Sequence, residues 1–236
     1  MRIAILQCDN VLDKFQKDFG NYPQMIIDLL TSVEDKLEVE IFDVQKGKYP
    51  ECIDNWDLFI TTGSKASVND NEVWIKDLIG FIQKLDADQK KLIGICFGHQ
   101  AIAVARGGSV VKSDKGWGIG ISSNRILTQP DWMNTQNSCL NIIVSHQDQI
   151  TLLPKGTKVI AESDFCPYFM VQWGEHFLSV QGHPEWNRQY SKSLINDRRN
   201  IIPIKRIEEG LVSLEKEPNN HEFAQWIIMF AQREIL

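Results

Sequence analysis

The segment from Leu92 to Gln100, L-I-G-I-C-F-G-H-Q, constrains this chain more than any other stretch. An apolar strand leads into Gly94 and Cys96, and the spacing predicts a sharp turn opening into a helix near Gly98-His99-Gln100. Gly94 and Gly98 suit a turn packed tightly against neighbouring backbone, where side chains have no room. A turn of this kind belongs to an open α/β sheet, in which a strand end backed by a helix exposes its apex residue. At that apex Cys96 would meet the free N–H groups and positive dipole end of the helix, which favour a thiolate, the nucleophilic form. The competing reading here is a structural cysteine buried in a core strand.

The flanking sequence keeps a strand-then-helix rhythm. Arg2 to Gln7 reads as a strand covered on both faces. Tyr22 to Lys36 reads as a helix, with Pro23 in its first turn and Met25, Ile26, Leu29, Leu30 and Val33 at helical spacing. Strands are expected over Leu37 to Val44 and Leu58 to Thr61, and a helix over Trp74 to Leu85. Lys91 to Ile95 leads into the turn, and the following helix, Gln100 to Arg106, ends at Gly107-Gly108. This alternation predicts a flavodoxin-like, doubly wound, mainly parallel sheet.

Beyond Gly108 the pattern changes to short strand candidates: Val110-Val111, Ile119 to Ile126, Leu140 to Val144, Lys158 to Ala161, Phe169 to Trp173 and Phe177 to Gln181. This half is expected to form a small antiparallel sheet packed on the edge of the first. A last helix from about Asn220 to Leu236 presents Phe223, Trp226, Ile227 and Phe230 as a core-facing stripe. No repeat or long linker interrupts the chain, so residues 1–236 are expected to form a single domain.

Composition removes several classes of function. A net charge of −6 argues against a nucleic-acid backbone or an anionic membrane as partner. The basic pairs Arg198-Arg199 and Lys205-Arg206 are read as solvated surface charge. The five cysteines are widely spaced with no C-x-x-C pair, so neither a disulfide framework nor a metal site is suggested, and a reducing cytoplasm is expected. The apolar start M-R-I-A-I-L is too short for a signal peptide, and no run approaches a membrane span.

The second informative segment is Leu178 to Glu185, L-S-V-Q-G-H-P-E. In extended chain, residues i and i+2 project to one side roughly 7 Å apart, so His183 and Glu185 can share a face. A carboxylate beside an imidazole fixes its tautomer and stabilises the imidazolium, which frees the other nitrogen to exchange a proton with a thiol. Alone, H-P-E could be an incidental surface turn. Together with a cysteine on an elbow it fits a Cys-His-Glu triad of Cys96, His183 and Glu185.

G-I-C-F-G-H-Q followed far downstream by G-H-P-E resembles the class I (triad) glutamine amidotransferases, and within them the glutaminase domain of GMP synthase and its stand-alone relatives. T-T-G-S-K-A-S-V-N-D, Thr61 to Asp70, resembles the family's T-G-S-P-x-S-V loop, with Lys65 where proline is usual. S-H-Q-D, Ser145 to Asp148, and K-G-W-G-I-G, Lys115 to Gly120, match segments of the GMP synthase group.

The resemblance implies that Cys96 attacks the side-chain amide of glutamine to give a γ-glutamyl thioester and ammonia. It implies an oxyanion hole from the backbone N–H groups of Gly63 and Phe97, and a hold on the substrate's amino-acid end by Gln100. Ser145 and His146 would line the same pocket, and no metal or other cofactor is implied. His99 is read as a packing or surface residue. No P-loop pattern occurs, so ATP chemistry is not expected on this chain. Lys65 and the stretch from Asn187 to Glu217 are where specificity could differ from relatives. Three functions stay open: a glutaminase that supplies ammonia to a synthase subunit, a stand-alone γ-glutamyl peptidase or hydrolase, and a non-catalytic thiol sensor. The intact H-x-E motif counts against the sensor.

Overall fold

The computed structural model describes residues 1–233. The first half alternates strands and helices: β1 (Arg2–Gln7), α1 (Asp13–Phe19), α2 (Tyr22–Thr31), β2 (Glu38–Asp43), β3 (Leu58–Thr61), α3 (Val73–Ala87), β4 (Leu92–Ile95) and α4 (Phe97–Ala105). The second half runs through β5 (Ser109–Lys112), β6 (Gly118–Ile126), β7 (Cys139–His146), β8 (Asp148–Leu152), β9 (Thr157–Glu162), β10 (Met170–Trp173) and β11 (Phe177–Val180). It closes with α5 (Arg188–Asp197), α6 (Ile204–Ser213) and α7 (Asn220–Gln232).

Nine strands form one sheet in the order β2-β1-β3-β4-β11-β10-β9-β6-β7, and β5 pairs with β8 in a small antiparallel sheet. The pairs from β2 to β11 are parallel. Those from β11 to β7 are antiparallel. β3, β4 and β11 are buried along their whole length, as central strands covered on both faces must be. Successive residues divide between two cores. Ile3, Ile5, Ile93, Ile95, Leu178 and Val180 pack under α2 and α7, against Ile26, Leu30, Phe223 and Trp226. Ala4, Leu6, Phe59, Leu92 and Phe177 pack under α3 and α4, against Ile75, Leu78, Ile82 and Ile102. This is the doubly wound, flavodoxin-like arrangement expected from the alternating first half.

Several elements differ from expectation for identifiable reasons. β11 does not belong to a separate antiparallel layer: it pairs in parallel with β4, Val180 opposite Ile95, at the centre of the main sheet. Strands β10, β9, β6 and β7 then extend that sheet rather than packing on its edge. Short strands with a mainly apolar run look alike in either setting, so periodicity does not separate them. α2 ends at Thr31 rather than Lys36, because Thr31 Oγ1 donates to the Ile27 carbonyl and Ser32 Oγ to that of Leu29, competing with further helix. α1 and α5 carry few apolar residues, and α6, which does have a regular stripe at Ile204, Ile207 and Leu211, stands outside the alternation of strands and helices. They pack with Phe15, Tyr190, Leu194 and Ile207 on a third cluster that includes Ile119 and Ile143. β8 was not expected either; it begins at Asp148, the last residue of the S-H-Q-D motif. The final helix was expected to reach Leu236, and residues 234–236 lie outside the described residues.

Candidate active site

Cys96 sits between β4 and α4 with φ 50° and ψ −97°, a conformation that costs a non-glycine residue about 1–3 kcal/mol. The surrounding packing holds it there. Cys96 N donates to the Val180 carbonyl (2.9 Å), and Gln100 N donates to the Cys96 carbonyl (3.2 Å). A Cβ on Gly98 would collide with the Thr61 hydroxyl, and one on Gly94 would lie 2.6 Å from Ile102 Cδ1. The two glycines are therefore required by close approach, as the elbow predicted. α4 begins at Phe97, ahead of the start expected near Gly98 to Gln100. Phe97 N–H thus belongs to the first helical turn, which lacks i−4 acceptors, while its ring is buried against Trp74.

His183 and Glu185 follow β11. His183 N donates to the Ile143 carbonyl of β7 (2.7 Å), which fixes the backbone where the chain leaves the sheet. His183 Nδ1 donates to Glu185 Oε1 (2.7 Å), and Trp186 stacks on the imidazole at 3.6 Å between ring centroids and 11° between planes. Burial opposes a charge on His183, but the adjacent Cys96 sulfur and the Glu185 carboxylate outweigh it and raise the imidazole to about 10. The site thus favours the imidazolium form of His183.

Gly63 closes the opposite side. A Cβ there would stand 2.7 Å from His183 Cε1 and 3.6 Å from Cys96 Cβ, so only a glycine lets this backbone approach both residues. Its loop is anchored by Asp9, a buried carboxylate at the end of β1 that accepts from Lys65 N (3.0 Å) and Asn10 N (2.8 Å). Lys65, at the position usually held by proline, points outward with its ammonium near Asp9 (3.7 Å).

Cys96, His183, Gly63, Gln100, Ser145 and His146 line one cavity of about 350 Å³, with Glu185 behind His183. Burial, with the nearby positive groups His183 and Arg206 adding to it, lowers His146 to about 4, so it is neutral near pH 7; its Nδ1 donates to the Asp148 carbonyl. Gln100 Nε2 is committed within the protein, donating to the Asp148 carbonyl (2.9 Å) and to Gln181 Oε1 (3.0 Å). His99 is fully buried and hydrogen-bonded to Ser179 Oγ (2.7 Å), a packing residue as read from the sequence. The two remaining buried thiols, Cys8 and Cys166, are both pushed up to about 12 by burial.

Two basic residues were misread as solvated charge. Arg198 lines the cavity, donates to Ser145 Oγ (2.7 Å) and lies over the Trp117 ring (5.4 Å). Arg206 donates to the Trp117 carbonyl (2.6 Å) and lies over Phe165. Nothing in an R-R or K-R dipeptide signals this, because the partners, Ser145, Trp117 and Phe165, are distant in sequence. Gln181 was also missed, although it lies two residues before His183 in the same motif. Among the described residues no group of three or more His, Cys, Asp or Glu could hold a metal ion, and no helix is long and apolar enough to cross a membrane.

An elbow cysteine facing an H-x-E histidine on a flavodoxin-like sheet directs comparison to amidotransferases. The family model described as glutamine amidotransferase class-I matches residues 16–199. The chain belongs to that family. Relatives of the class-I amidotransferase chain include gamma-glutamyl peptidase 5 of Arabidopsis thaliana, 32% identical over 85% of this chain and 81% of that protein. Gamma-glutamyl peptidase 3 of the same plant is 30% identical over 94% of this chain and 89% of that protein. A solved glutamine amidotransferase from Thermotoga maritima shares the fold with a TM-score of 0.78 at 17% identity, covering 98% of each chain.

Proposed function

We propose that this amidotransferase-family chain is a cysteine-dependent γ-glutamyl hydrolase whose substrates are γ-glutamyl amides larger than glutamine. The observation that carries the reading beyond glutaminase is the shape of the site. The cavity at Cys96 adjoins a second one, lined by Lys115, Phe165, Pro203 and Arg206, with Trp117, Gln147 and Ile201 forming part of the wall of both. Ammonia as leaving group needs no such space, whereas an amine bearing side chains does. The two relatives named gamma-glutamyl peptidases support the same choice.

In this mechanism Cys96, as thiolate, attacks the γ-carbonyl carbon. The carbonyl π pair moves to oxygen, and the oxyanion is met by the backbone N–H groups of Gly63 and Phe97. As the tetrahedral species collapses, the C–N bond breaks and the His183 imidazolium protonates the departing amine. The resulting γ-glutamyl thioester is hydrolysed by water that gives its proton to His183, releasing glutamate and the thiolate. Glu185 holds the imidazole in the required tautomer. Gln100, Ser145 and His146 are assigned to the cavity that receives the glutamyl portion. The reaction calls on no metal or other cofactor. Residues 1–236 are proposed to act as one domain, a reading supported by the single sheet shared by both halves, and in the cytoplasm, where Cys96 would stay reduced.

The second reading, a glutaminase that passes ammonia to a synthase subunit, uses the same triad. Glutamate release from glutamine and from a panel of γ-glutamyl dipeptides separates them. Faster turnover of the dipeptides without any partner is expected. Turnover confined to glutamine and increased by an added partner protein would replace the hydrolase reading.

A further inference from the structure

Ser179 of β11 and Gln181, the residue just past its end, present polar side chains to the face of the sheet under α4, where apolar residues otherwise dominate. Ser179 holds His99, and Gln181 meets Gln100. Gln181 is fully buried, and its Nε2 donates to Cys96 Sγ at 3.5 Å, an ordinary distance for a sulfur acceptor. Its backbone is fixed as well, since Gln181 N donates to the Phe169 carbonyl (2.8 Å) and the preceding Val180 carbonyl accepts from Cys96 N (2.9 Å).

The orientation of the Gln181 amide follows from its neighbours. Gln100 Nε2 lies within hydrogen-bond distance of two acceptors, the Asp148 carbonyl (2.9 Å) and Gln181 Oε1 (3.0 Å). Asp148 offers a carbonyl that cannot turn into a donor, so Gln100 must direct its nitrogen there. Gln181 must then meet Gln100 with its oxygen and the sulfur with its nitrogen. The flipped amide would set two NH₂ groups against each other and an oxygen against the sulfur, two repulsions in a buried site.

We propose that Gln181 is a further catalytic residue, a buried hydrogen-bond donor to the Cys96 thiolate, and that Gln100 is a positioning residue that locks it in the donating orientation. The inference rests on Cys96 being the nucleophile. Gln181 stabilises the sulfur anion before attack and again as it leaves the thioester. When the S–C bond forms the sulfur loses its charge and the hydrogen bond weakens. Removing the donor therefore lowers the fraction of thiolate and raises the reactivity of what remains. Its loss should be felt most on the acid side of the pH profile and fade as pH rises.

The test follows iodoacetamide alkylation of Cys96 against pH in a background where the exposed Cys52 and Cys139 are replaced by Ser. Gln181→Leu is expected to move the alkylation midpoint up by roughly one pH unit, with an equal shift in the acid limb of kcat/KM. Gln100→Leu should move both in the same direction by less. If Gln181→Leu does not fold, Gln181→Met, closer in shape to glutamine, gives the same reading. A midpoint unchanged in both Gln181→Met and Gln100→Leu, with activity lowered equally at every pH, would reduce Gln181 to a packing role. The alkylation midpoint is read without turnover, so it reports on Gln181 even where no substrate is hydrolysed. Full activity in Cys96→Ser would instead overturn the nucleophile assignment itself.

Discussion

Glu185 Oε1 accepts a hydrogen bond from His183 Nδ1 at 2.7 Å, with both side chains buried and Trp186 stacked on the imidazole. The pairing sets the direction in which His183 can act: Nδ1 is occupied, so only Nε2 is available to exchange a proton with sulfur or substrate. Replacing Glu185 by Gln keeps the volume and removes the charge. Activity of Glu185→Gln is expected to fall by roughly 100-fold or more, through kcat rather than KM, with the fold intact. Steady-state kinetics beside a circular dichroism spectrum check this, and an unchanged kcat would remove Glu185 from the mechanism.

Gly63→Ala would place a methyl group 2.7 Å from His183 Cε1. The imidazole or the loop must shift, and with it the N–H assigned to the oxyanion. A loss in kcat of at least about tenfold is expected, with little change in melting temperature because the loop stays anchored to Asp9. A calorimetric scan and kinetics on one preparation separate the two effects.

Arg198 donates to Ser145 and stacks on Trp117 at the cavity wall. Arg198→Met keeps much of the packing and removes the charge. KM for γ-glutamyl dipeptides is expected to rise about tenfold while kcat changes by less, the signature of lost uniform binding. Equal loss in both constants, or none in either, would exclude a binding role.

The buried histidines make the fold acid-sensitive. His99 is lowered to about 3 and His146 to about 4, in each case first by burial. Both remain neutral in the folded chain at pH values where an unfolded histidine takes up a proton, near 6.5. The unfolded state therefore binds more protons between about pH 6.5 and 4, and stability falls as pH drops through that range. His183, raised to about 10, opposes this only at the upper end of the range, where the unfolded histidine is still partly neutral, and adds no slope below about pH 5.5. Urea midpoints at a series of pH values should show the decline, and His99→Gln should flatten it. A midpoint independent of pH from 7 to 4 would contradict this.

How much of the site was legible depended on where each residue stood. The elbow around Cys96 and the H-x-E pair announce themselves because their chemistry needs fixed short spacings, and the glycines beside Cys96 are dictated by backbone contact. The parallel half of the sheet was readable from its alternation of apolar strands with helices. Arg198 and Arg206 were not, since they come from the end of α5 and from α6, and only the tertiary packing of those helices brings their side chains to Ser145 and Trp117. Gln181 was hidden differently. It sits inside a recognised motif, but only the pairing of β11 with β4 puts its amide beside Cys96. Contacts made by strand register are invisible to a linear reading, and the misplacement of β11 in an antiparallel half concealed this one.

The proposed intermediate is a γ-glutamyl thioester on Cys96. The most direct test quenches the protein in acid during turnover of a γ-glutamyl dipeptide and maps the adduct by peptide mass spectrometry. One glutamyl group is expected on the Cys96 peptide, released by hydroxylamine and absent from Cys96→Ala. Continued turnover by Cys96→Ala, or a glutamyl adduct on any other residue, would contradict it.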